Sequence, residues 1–227
     1  MDCKTNALKN EGIFIETDSK NIECSINKAL PIIINQSKNI CRIIKNQKTI
    51  GTGFLCNIPN PTFSNLFPVL ITSNNILKHY DFKKDKQIIL QLAKEKQKTL
   101  IVNDERKIYS CNKGDYDVLF VEIKQNDELD INNFLEIDES LYKKNELVPN
   151  VKEKDIYLMH YPEDDSKIIY TFTTMNKVSS DKYKINNLKT INKCLIGCPI
   201  LNYSNFKIIG VFNSNEENRL NQEMILS

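Results

Sequence analysis

A series of short apolar runs, rich in β-branched residues and separated by polar turns, restricts the fold of this chain more than any other feature. The runs read NICRIIKN, TIGTGFLCNI, FPVLITS, KQIILQLAK, TLIVND, YDVLFVEI, DIYLMHYP, KIIYTFTTMNKV and FKIIGVF. Runs of this length and composition predict β-strands. The intervening segments lack the long helical stripes that a parallel α/β sheet requires. The sequence therefore predicts an all-β fold, either a sandwich or a barrel.

The polar stretch from Lys124 to Asn150 divides these predicted strands into two sets. Its content of Asn, Asp, Glu and Lys indicates a connection between two packed units. Helix is expected only in short pieces, in INKALPIIINQSKN and as one turn in NNILKHYD. A chain of 227 residues with 41% hydrophobic residues can build the core of one large domain or of two closely packed small ones.

The charge balance and the N-terminus exclude several classes of function. The chain has 31 Lys and Arg against 29 Asp and Glu, a formal net charge of +2, so it lacks the basic field of a general nucleic-acid binder. The first residues, MDCKTNALKNEGIF, lack the apolar core of a secretion signal, and no apolar run is long enough to span a bilayer. We therefore expect a cytoplasmic protein with neither a nucleic-acid nor a membrane partner.

The cysteines are odd in number and follow no repeating interval. In a chain without an export signal, this pattern indicates reduced thiols rather than a disulfide framework. Together with His79 and His160 they form no ligand set at the spacing of a zinc site, so we expect no metal and no other cofactor. The seven cysteines are Cys3, Cys24, Cys41, Cys56, Cys111, Cys194 and Cys198.

Three segments carry residue types that could belong to one site. The segment from Thr49 to Leu77 holds Gly51 and Gly53 at the start of an apolar strand, and a second apolar strand that ends in a polar turn. The segment from Gly114 to Ile123 places an acidic residue before another apolar strand. The third, from Asn192 to Phe212, reads NKCLIGCPILNYSNFKIIGVF. Taken singly, each is typical of an ordinary bulge or turn.

Taken in order, the three segments resemble the trypsin-like (chymotrypsin-fold, PA clan) serine peptidases, in particular intracellular members from protists. The resemblance rests on GTGFLCNIP, PVLITSNNIL, FLEID, HYP and PILNYSNFKIIGVF, and it covers the chain from Asn39 to Phe212. It implies two packed antiparallel β-barrels with a cleft between them. It also implies an N-terminal extension at 1–30 and a peptidase domain at 31–227, with barrels at about 31–125 and about 150–215.

In this family a serine attacks the scissile carbonyl, a histidine takes its proton, a buried aspartate orients the histidine, and two backbone N–H groups bind the oxyanion. Where the family pattern reads Thr-Asn-Asn-His-Val-Leu, this chain reads TSNNIL from Thr72 to Leu77, which places Asn75 at the position of the base. A carboxamide cannot accept and return a proton near neutral pH. Asp117 stands at the position of the orienting acid. The resemblance therefore implies that the orienting acid is present and that the catalytic base is absent.

The family's nucleophile turn reads Gly-x-Ser-Gly-x-Pro. Aligned on Pro199, it places Cys194 at the first glycine, Ile196 at the serine and Gly197 at the second glycine. The first glycine tolerates the strained backbone of the oxyanion hole. Its replacement by Cys194, beside the β-branched Ile196, is expected to disfavour that geometry by about 1–3 kcal/mol. We expect the oxyanion hole to be collapsed or rearranged.

A cysteine enzyme is the alternative, because a thiolate attacks well without a strong base. Cys194 or Cys198 would be the nucleophile and His79 its partner. Neither cysteine stands at the serine position, and His79 follows Asn75 by four residues, about one helical turn further from the cleft. Two buried small hydrophobic residues are the simpler interpretation of the cysteines. His160, in YLMHYP, is interpreted as a core or strand-end residue.

The function expected from these residues is that of a pseudoprotease, an inactive trypsin-like peptidase homologue. It would bind a peptide or protein segment in the inter-barrel cleft without cutting it. An active endopeptidase that uses Cys194 or Cys198 with His79 stays open, as does a decaying paralogue without a selected role. The sequence does not define the ligand, the specificity pocket or the oligomeric state.

Overall fold

The computed structural model describes residues 14–17, 20–59, 66–77, 86–92, 97–111, 117–138, 153–162, 167–177, 183–185 and 193–213. Short strands dominate this part of the chain, and short 3-10 helices lie at Gln125–Asp127, Ile131–Asn133 and Lys193–Leu195. The helix and the strands are, in chain order, β1 (Phe14–Thr17), α1 (Lys20–Ser37), β2 (Ile40–Lys45), β3 (Lys48–Pro59), β4 (Leu66–Thr72), β5 (Gln87–Leu92), β6 (Lys98–Ile101), β7 (Ile108–Cys111), β8 (Val118–Glu122), β9 (Leu135–Glu136), β10 (Glu153–His160), β11 (Ile169–Lys177), β12 (Tyr183–Ile185), β13 (Pro199–Asn202) and β14 (Ile208–Val211).

Each of the apolar runs that predicted a strand contains one, and the structure adds strands that the pattern did not predict. One of these is β7, whose residues are largely exposed and therefore show no apolar alternation. Helix α1 is longer than the short helix expected ahead of the first strand, because it begins at Lys20. Among the described residues, no helix has both the length and the apolarity needed to cross a membrane.

The first sheet has the strand order β6-β5-β2-β3-β4-β8-β7, with β9 added in parallel to β3. Its main pairings are antiparallel, as in the register Phe54↔Ile71 and Ile71↔Phe120. Side chains alternate along each strand. Leu55 and Leu70 therefore join the cluster that the first sheet encloses, whereas Phe54 and Ile71 face the second sheet.

The second sheet has the order β1-β11-β10-β13-β14, and β12 pairs with the end of β11. Strand β1 joins β11 in parallel, and the other pairings are antiparallel. The sheet encloses its own small apolar cluster, which includes Ile156, Leu158 and Cys198. Each sheet thus has a core of its own.

A third core lies between the sheets and joins them. It contains Phe54 and Ile71 from the first sheet and Tyr157 and Val211 from the second, all fully buried. Helix α1 packs its buried Ile33 into this seam. The Oε1 atom of Gln36 accepts a hydrogen bond from Tyr157 Oη (2.5 Å), and its Nε2 donates to Phe206 O (2.7 Å), which ties the helix to the second sheet.

The described part of the predicted connection, residues 124–138, passes from the first sheet to the second. Strand β9 pairs with β3, and the next residue, Ile137, forms a parallel bridge to Ile208. Asp138 N donates to Ile208 O (2.8 Å), and its carboxylate accepts from Asn205 Nδ2 (2.8 Å). The connection is therefore hydrogen-bonded to both sheets.

A buried arginine braces one end of the first sheet. Arg106 Nε donates to Ile101 O (2.7 Å) and Nη1 to Glu122 O (2.6 Å), which links the ends of β6 and β8. Its Nη1 and Nη2 also form a bidentate pair with the carboxylate of Asp127 (2.8 Å each). The two side chains are only 3% and 4% exposed.

Candidate functional site

Asn75 and Asp117 meet where two neighbouring strands of the first sheet lie side by side. Strand β4 ends at Thr72, and the turn that follows is closed by hydrogen bonds from the amides of Ile76 (3.1 Å) and Leu77 (3.4 Å) to Ser73 O. Asp117 directly precedes β8, which is paired with β4. Asn75 Nδ2 donates to Asp117 Oδ2 at 2.8 Å, so the structure brings these two predicted site positions into contact.

The same carboxylate oxygen of Asp117 receives further donors. Ser73 Oγ donates to Oδ2, and the amide of Asn75 lies 3.4 Å from it and 3.0 Å from Ser73 Oγ. Ser73 is fully buried, whereas Asn75 is exposed. The carboxylate is thus held by a hydroxyl and an amide side chain, and neither group exchanges protons readily near neutral pH. Ser73 carries no signal in the sequence beyond its place directly after an apolar strand.

Asn74 fixes this turn to the edge of the first sheet. Its Nδ2 donates to Cys111 O (2.9 Å) and Val118 O (3.0 Å), and its Oδ1 accepts from Ser110 Oγ (2.7 Å). These bonds join the turn to β7 and β8. The position of Asn75 is therefore set by its neighbours on both sides.

The turn that carries Ile196 begins with the 3-10 helix Lys193–Leu195 and is closed by a bond from Cys198 N to Leu195 O (3.0 Å). Gly197 has a left-handed φ of +83°, and none of the non-glycine residues with positive φ in the described chain lies in this turn. Cys194 therefore does not adopt a left-handed backbone conformation. The 3-10 geometry accommodates a side chain where the family pattern has glycine.

Thr52 ties this turn to the first sheet. Its amide donates to Ile196 O (3.2 Å), and its Oγ1 donates to Cys194 O (2.6 Å). Thr72 Oγ1 in turn donates to Thr52 O (2.8 Å). Thr52 and Thr72 are fully buried, so these bonds are shielded from water. In the sequence, Thr52 carries no signal beyond its place between Gly51 and Gly53.

The two turns are also in van der Waals contact through Ile76. A Cβ atom on Gly197 would lie 2.8 Å from Ile76 Cδ1 and 2.3 Å from Thr52 O, and one on Gly51 would lie 2.3 Å from Ile76 Cδ1. Ile196 is half-buried and packs against the core enclosed by the first sheet, which includes Ile76. The structure thus places the turns of Asn75 and Ile196 against each other, with apolar side chains at their contact.

The two cysteines of the alternative hypothesis are buried. Cys194 is 2% exposed and Cys198 is fully buried in the core of the second sheet. Burial raises the pKa of the Cys198 thiol far above its usual range, which disfavours the thiolate. His79 lies outside the described residues. His160 is the buried last residue of β10, as expected, and burial lowers its pKa to about 4.

The chain matches no protein-family model and no curated protein sequence. It does resemble solved structures. The serine protease domain of the Sesbania mosaic virus polyprotein superposes with a TM-score of 0.54 and 14% identity, covering 82% of this chain and 87% of that one. The human pathogenic astrovirus serine protease gives a TM-score of 0.54 and 12% identity, with coverage of 84% and 91%. A Glu endopeptidase gives 0.54 and 15%, with coverage of 82% and 83%.

At these identities the likeness concerns the fold alone. These neighbours are chymotrypsin-like proteases, and the two curled antiparallel sheets of this chain follow the same architecture. The predicted fold class, an all-β chain with two packed antiparallel β-barrels of the chymotrypsin type, is confirmed.

Proposed function

We propose that this protein is a pseudoprotease, a chymotrypsin-fold peptidase homologue that binds a peptide or protein segment in the inter-barrel cleft without hydrolysing it. The observation that carries the proposal is the aliphatic side chain of Ile196 and the way in which this residue is held. Its carbonyl oxygen accepts from Thr52 N, and its side chain packs against the first core. An aliphatic side chain has no atom that can attack a carbonyl carbon.

The contact between Asn75 and Asp117 supports the same proposal. Asn75 donates its amide hydrogen to the carboxylate, so the pair has the arrangement of a base and its orienting acid. The amide has no basic nitrogen, however, and cannot activate a nucleophile. A water molecule in the cleft would therefore gain no general base from Asn75.

The burial of both cysteines favours this proposal over a cysteine endopeptidase. A thiolate nucleophile needs a lowered pKa and access to its substrate. Cys198 has neither, since it is fully buried and its pKa is raised by burial. Cys194 is also inaccessible at 2% exposure. Thiols without a disulfide partner at Cys41 and Cys56 fit the cytoplasmic location that belongs to the same proposal.

Two measurements on the purified chain test the loss of catalysis. The protein is incubated with a broad fluorogenic peptide library and, separately, with serine-directed and cysteine-directed covalent probes. We expect neither turnover nor labelling of residues in the cleft. Turnover that disappears in Cys194→Ala or Cys198→Ala, or rapid labelling of either thiol, would overturn the proposal in favour of the cysteine enzyme.

Peptide binding is tested separately, by selecting peptides from a displayed library against the full chain. Selected peptides are expected to be recovered intact by mass spectrometry after long incubation. The variant Asn75→Arg, which places a bulky charge in the cleft, should weaken their binding. The matched control is Asn103→Arg, at an exposed asparagine in the turn after β6, and it should leave binding unchanged. Equal effects of the two variants, or no selected peptide, would contradict the binding role.

A further inference from the structure

Two neighbouring polar groups are buried between the sheets and have no hydrogen-bond partner among the described residues. They are the Nε atom of Arg42, on β2, and the hydroxyl of Tyr161, which directly follows β10. The guanidinium carbon of Arg42 lies 5.0 Å from the centroid of the Tyr161 ring, so the two groups belong to one cluster. Buried donors without an acceptor are costly, and native proteins contain few of them. An acceptor from outside the described chain would satisfy both groups.

The fold places this pair at the edge of the core between the sheets. Ile40 and Arg42 are two residues apart on β2 and therefore face the same side of the sheet, where Ile40 joins that core. Tyr161 belongs to the same core and is 1% exposed. Arg42 as a whole is only half-buried, so it lies at the boundary between this core and solvent. A small solute can therefore reach the pair.

The chemistry of the two groups favours an anion with a single negative charge. Among the described residues no carboxylate pairs with Arg42, whereas Arg106 forms a bidentate pair with Asp127. Burial raises the pKa of Tyr161, which keeps its hydroxyl protonated and able to donate. A guanidinium beside a hydroxyl donor suits an oxyanion. Because the cost of desolvation rises steeply with charge, one cation in an apolar core favours a carboxylate over a doubly charged phosphate.

We propose that Arg42 and Tyr161 bind a carboxylate, which belongs either to a small carboxylic acid or to an acidic side chain of a peptide. The carboxylate accepts hydrogen bonds from Nε–H of Arg42 and from the hydroxyl of Tyr161, and the guanidinium balances its charge. The ring of Tyr161 holds the guanidinium in place through a cation–π contact.

Thr52 connects this site to the turn of Ile196. It is the partner of Arg42 in the register between β2 and β3, so the two side chains lie on the same side of the sheet. The Oγ1 atom of Thr52 donates to Cys194 O in that turn. A carboxylate bound by Arg42 would therefore lie beside the residue that fixes the turn. The binding itself does not depend on whether the protein hydrolyses peptides.

The proposal is tested by NMR on the ¹⁵N-labelled full chain, titrated with acetate at constant ionic strength. The side-chain Nε–H signals report on the arginines directly, and Arg42→Lys assigns the signal of Arg42. We expect acetate to shift this signal with a dissociation constant of about 1–10 mM. Arg106, whose Nε already donates to Ile101 O at 2.7 Å, is the internal control, and its signal should not move. No shift at Arg42, or equal shifts at both arginines, would overturn the proposal.

Two further compounds are titrated in parallel to identify the source of the carboxylate. Acetyl-glutamate methylamide carries its only carboxylate in the side chain. Tighter binding of this compound than of acetate assigns the site to a peptide side chain, and the reverse order assigns it to a small carboxylic acid. Inorganic phosphate is the second compound. Tighter binding of phosphate than of both carboxylates would overturn the proposed ligand.

Two matched tyrosine variants test the second donor. Tyr161→Phe removes only the hydroxyl and should weaken acetate binding by about tenfold, measured on the Arg42 signal. Without acetate it should melt at the temperature of the wild type or higher, because the lost hydroxyl has no partner. Tyr157→Phe removes a hydroxyl that donates to Gln36 Oε1 at 2.5 Å, so it should melt lower and bind acetate normally. Unchanged acetate affinity in Tyr161→Phe, or equal melting temperatures of the two variants, would contradict the proposal.

The acidic residues that follow Tyr161 in the sequence provide the last test. The variant Glu163→Gln/Asp164→Asn/Asp165→Asn removes their charges together. We expect acetate to bind this variant and the wild type equally. Binding to the variant alone would show that a carboxylate of the chain itself occupies the site, and it would overturn the proposal.

Discussion

The hydroxyl of Thr52 in the first sheet donates a 2.6 Å hydrogen bond to the carbonyl oxygen of Cys194 in the turn of the second sheet. Both residues are buried, so no water competes for this bond. A second bond, from Thr52 N to Ile196 O, holds the same turn from the backbone. One residue therefore fixes the turn that carries Ile196.

The variant Thr52→Val keeps the shape of the side chain and removes the hydroxyl. It leaves Cys194 O without this donor in a buried place, which should lower the free energy of unfolding by about 1–3 kcal/mol. The turn should open more often, so Cys194 and Cys198 should react faster with a thiol reagent under native conditions. Urea denaturation and thiol titration measure the two effects. Thr52→Ser is the control that keeps the hydroxyl, and similar thiol rates in both variants would contradict the role of this bond.

Arg106 and Asp127 form a buried pair whose disruption should be costly. Arg106→Leu removes the guanidinium and leaves the Asp127 carboxylate buried without its bidentate partner. The free energy of unfolding should fall by about 3–5 kcal/mol. The double variant Arg106→Leu/Asp127→Leu removes the uncompensated charge as well. In chemical denaturation it should be more stable than the single variant, and a less stable double variant would contradict this account.

Gly197 and Gly51 offer a comparison between two crowded glycines. Alanine at Gly197 requires a φ of +83° and places Cβ 2.3 Å from the carbonyl oxygen of Thr52, which cannot move without breaking the backbone bonds of the turn. Alanine at Gly51 meets the Cδ1 atom of Ile76 at the same distance, but that atom ends a flexible side chain. Gly197→Ala should therefore lower the free energy of unfolding by at least about 1–2 kcal/mol more than Gly51→Ala does. The melting temperature of Gly197→Ala should accordingly be the lower of the two. Equal losses would contradict the difference.

His160 should make stability depend on pH. Burial lowers its pKa to about 4 in the folded chain, below the ordinary value of 6.5, so the unfolded state binds more protons between these values. The stability contributed by neutral His160 is present above pH 6.5 and is lost as the pH falls towards 4, by a total of about 3 kcal/mol. Unfolding free energies of wild type and His160→Gln, measured from pH 4 to 7, check this. The variant should lose this part of the slope, and identical slopes would contradict it.

The strands were predictable because apolar, β-branched runs have few other ways to bury their side chains. Strand β7 was not, since its residues Ile108–Cys111 are mostly exposed and owe their conformation to pairing with β8. The first turns of α1 escaped prediction for a similar reason, because the polar start KNIE has no apolar stripe. Tertiary pairing, which local sequence does not encode, decided β7.

Asn75, Asp117 and Ile196 could be singled out only through the family resemblance, which predicts their roles. Their residue types, an amide, a carboxylate and an aliphatic side chain, then decide what each can do to a proton or a carbonyl. Thr52 and Ser73 could not be singled out, since their hydroxyls act on a backbone carbonyl and on a carboxylate that come close only after folding. Hydrogen bonds across two sheets leave no periodic signal along the chain.

Restoring the lost groups tests the assignment of the three positions. The triple variant Asn75→His/Cys194→Gly/Ile196→Ser supplies a base, a flexible first residue of the turn and a nucleophile. Because Asn75 Nδ2 already donates to Asp117, a histidine in its place can donate Nδ1–H to the same oxygen and adopt the required tautomer. We expect peptidase turnover at least about tenfold above that of the parent chain, measured with the fluorogenic library. Adding Asp117→Asn to the triple variant should abolish the gain, because the orienting acid is worth about 10⁴-fold in such triads. A triple variant that folds and stays inactive, or one whose activity survives Asp117→Asn, would contradict the assignment.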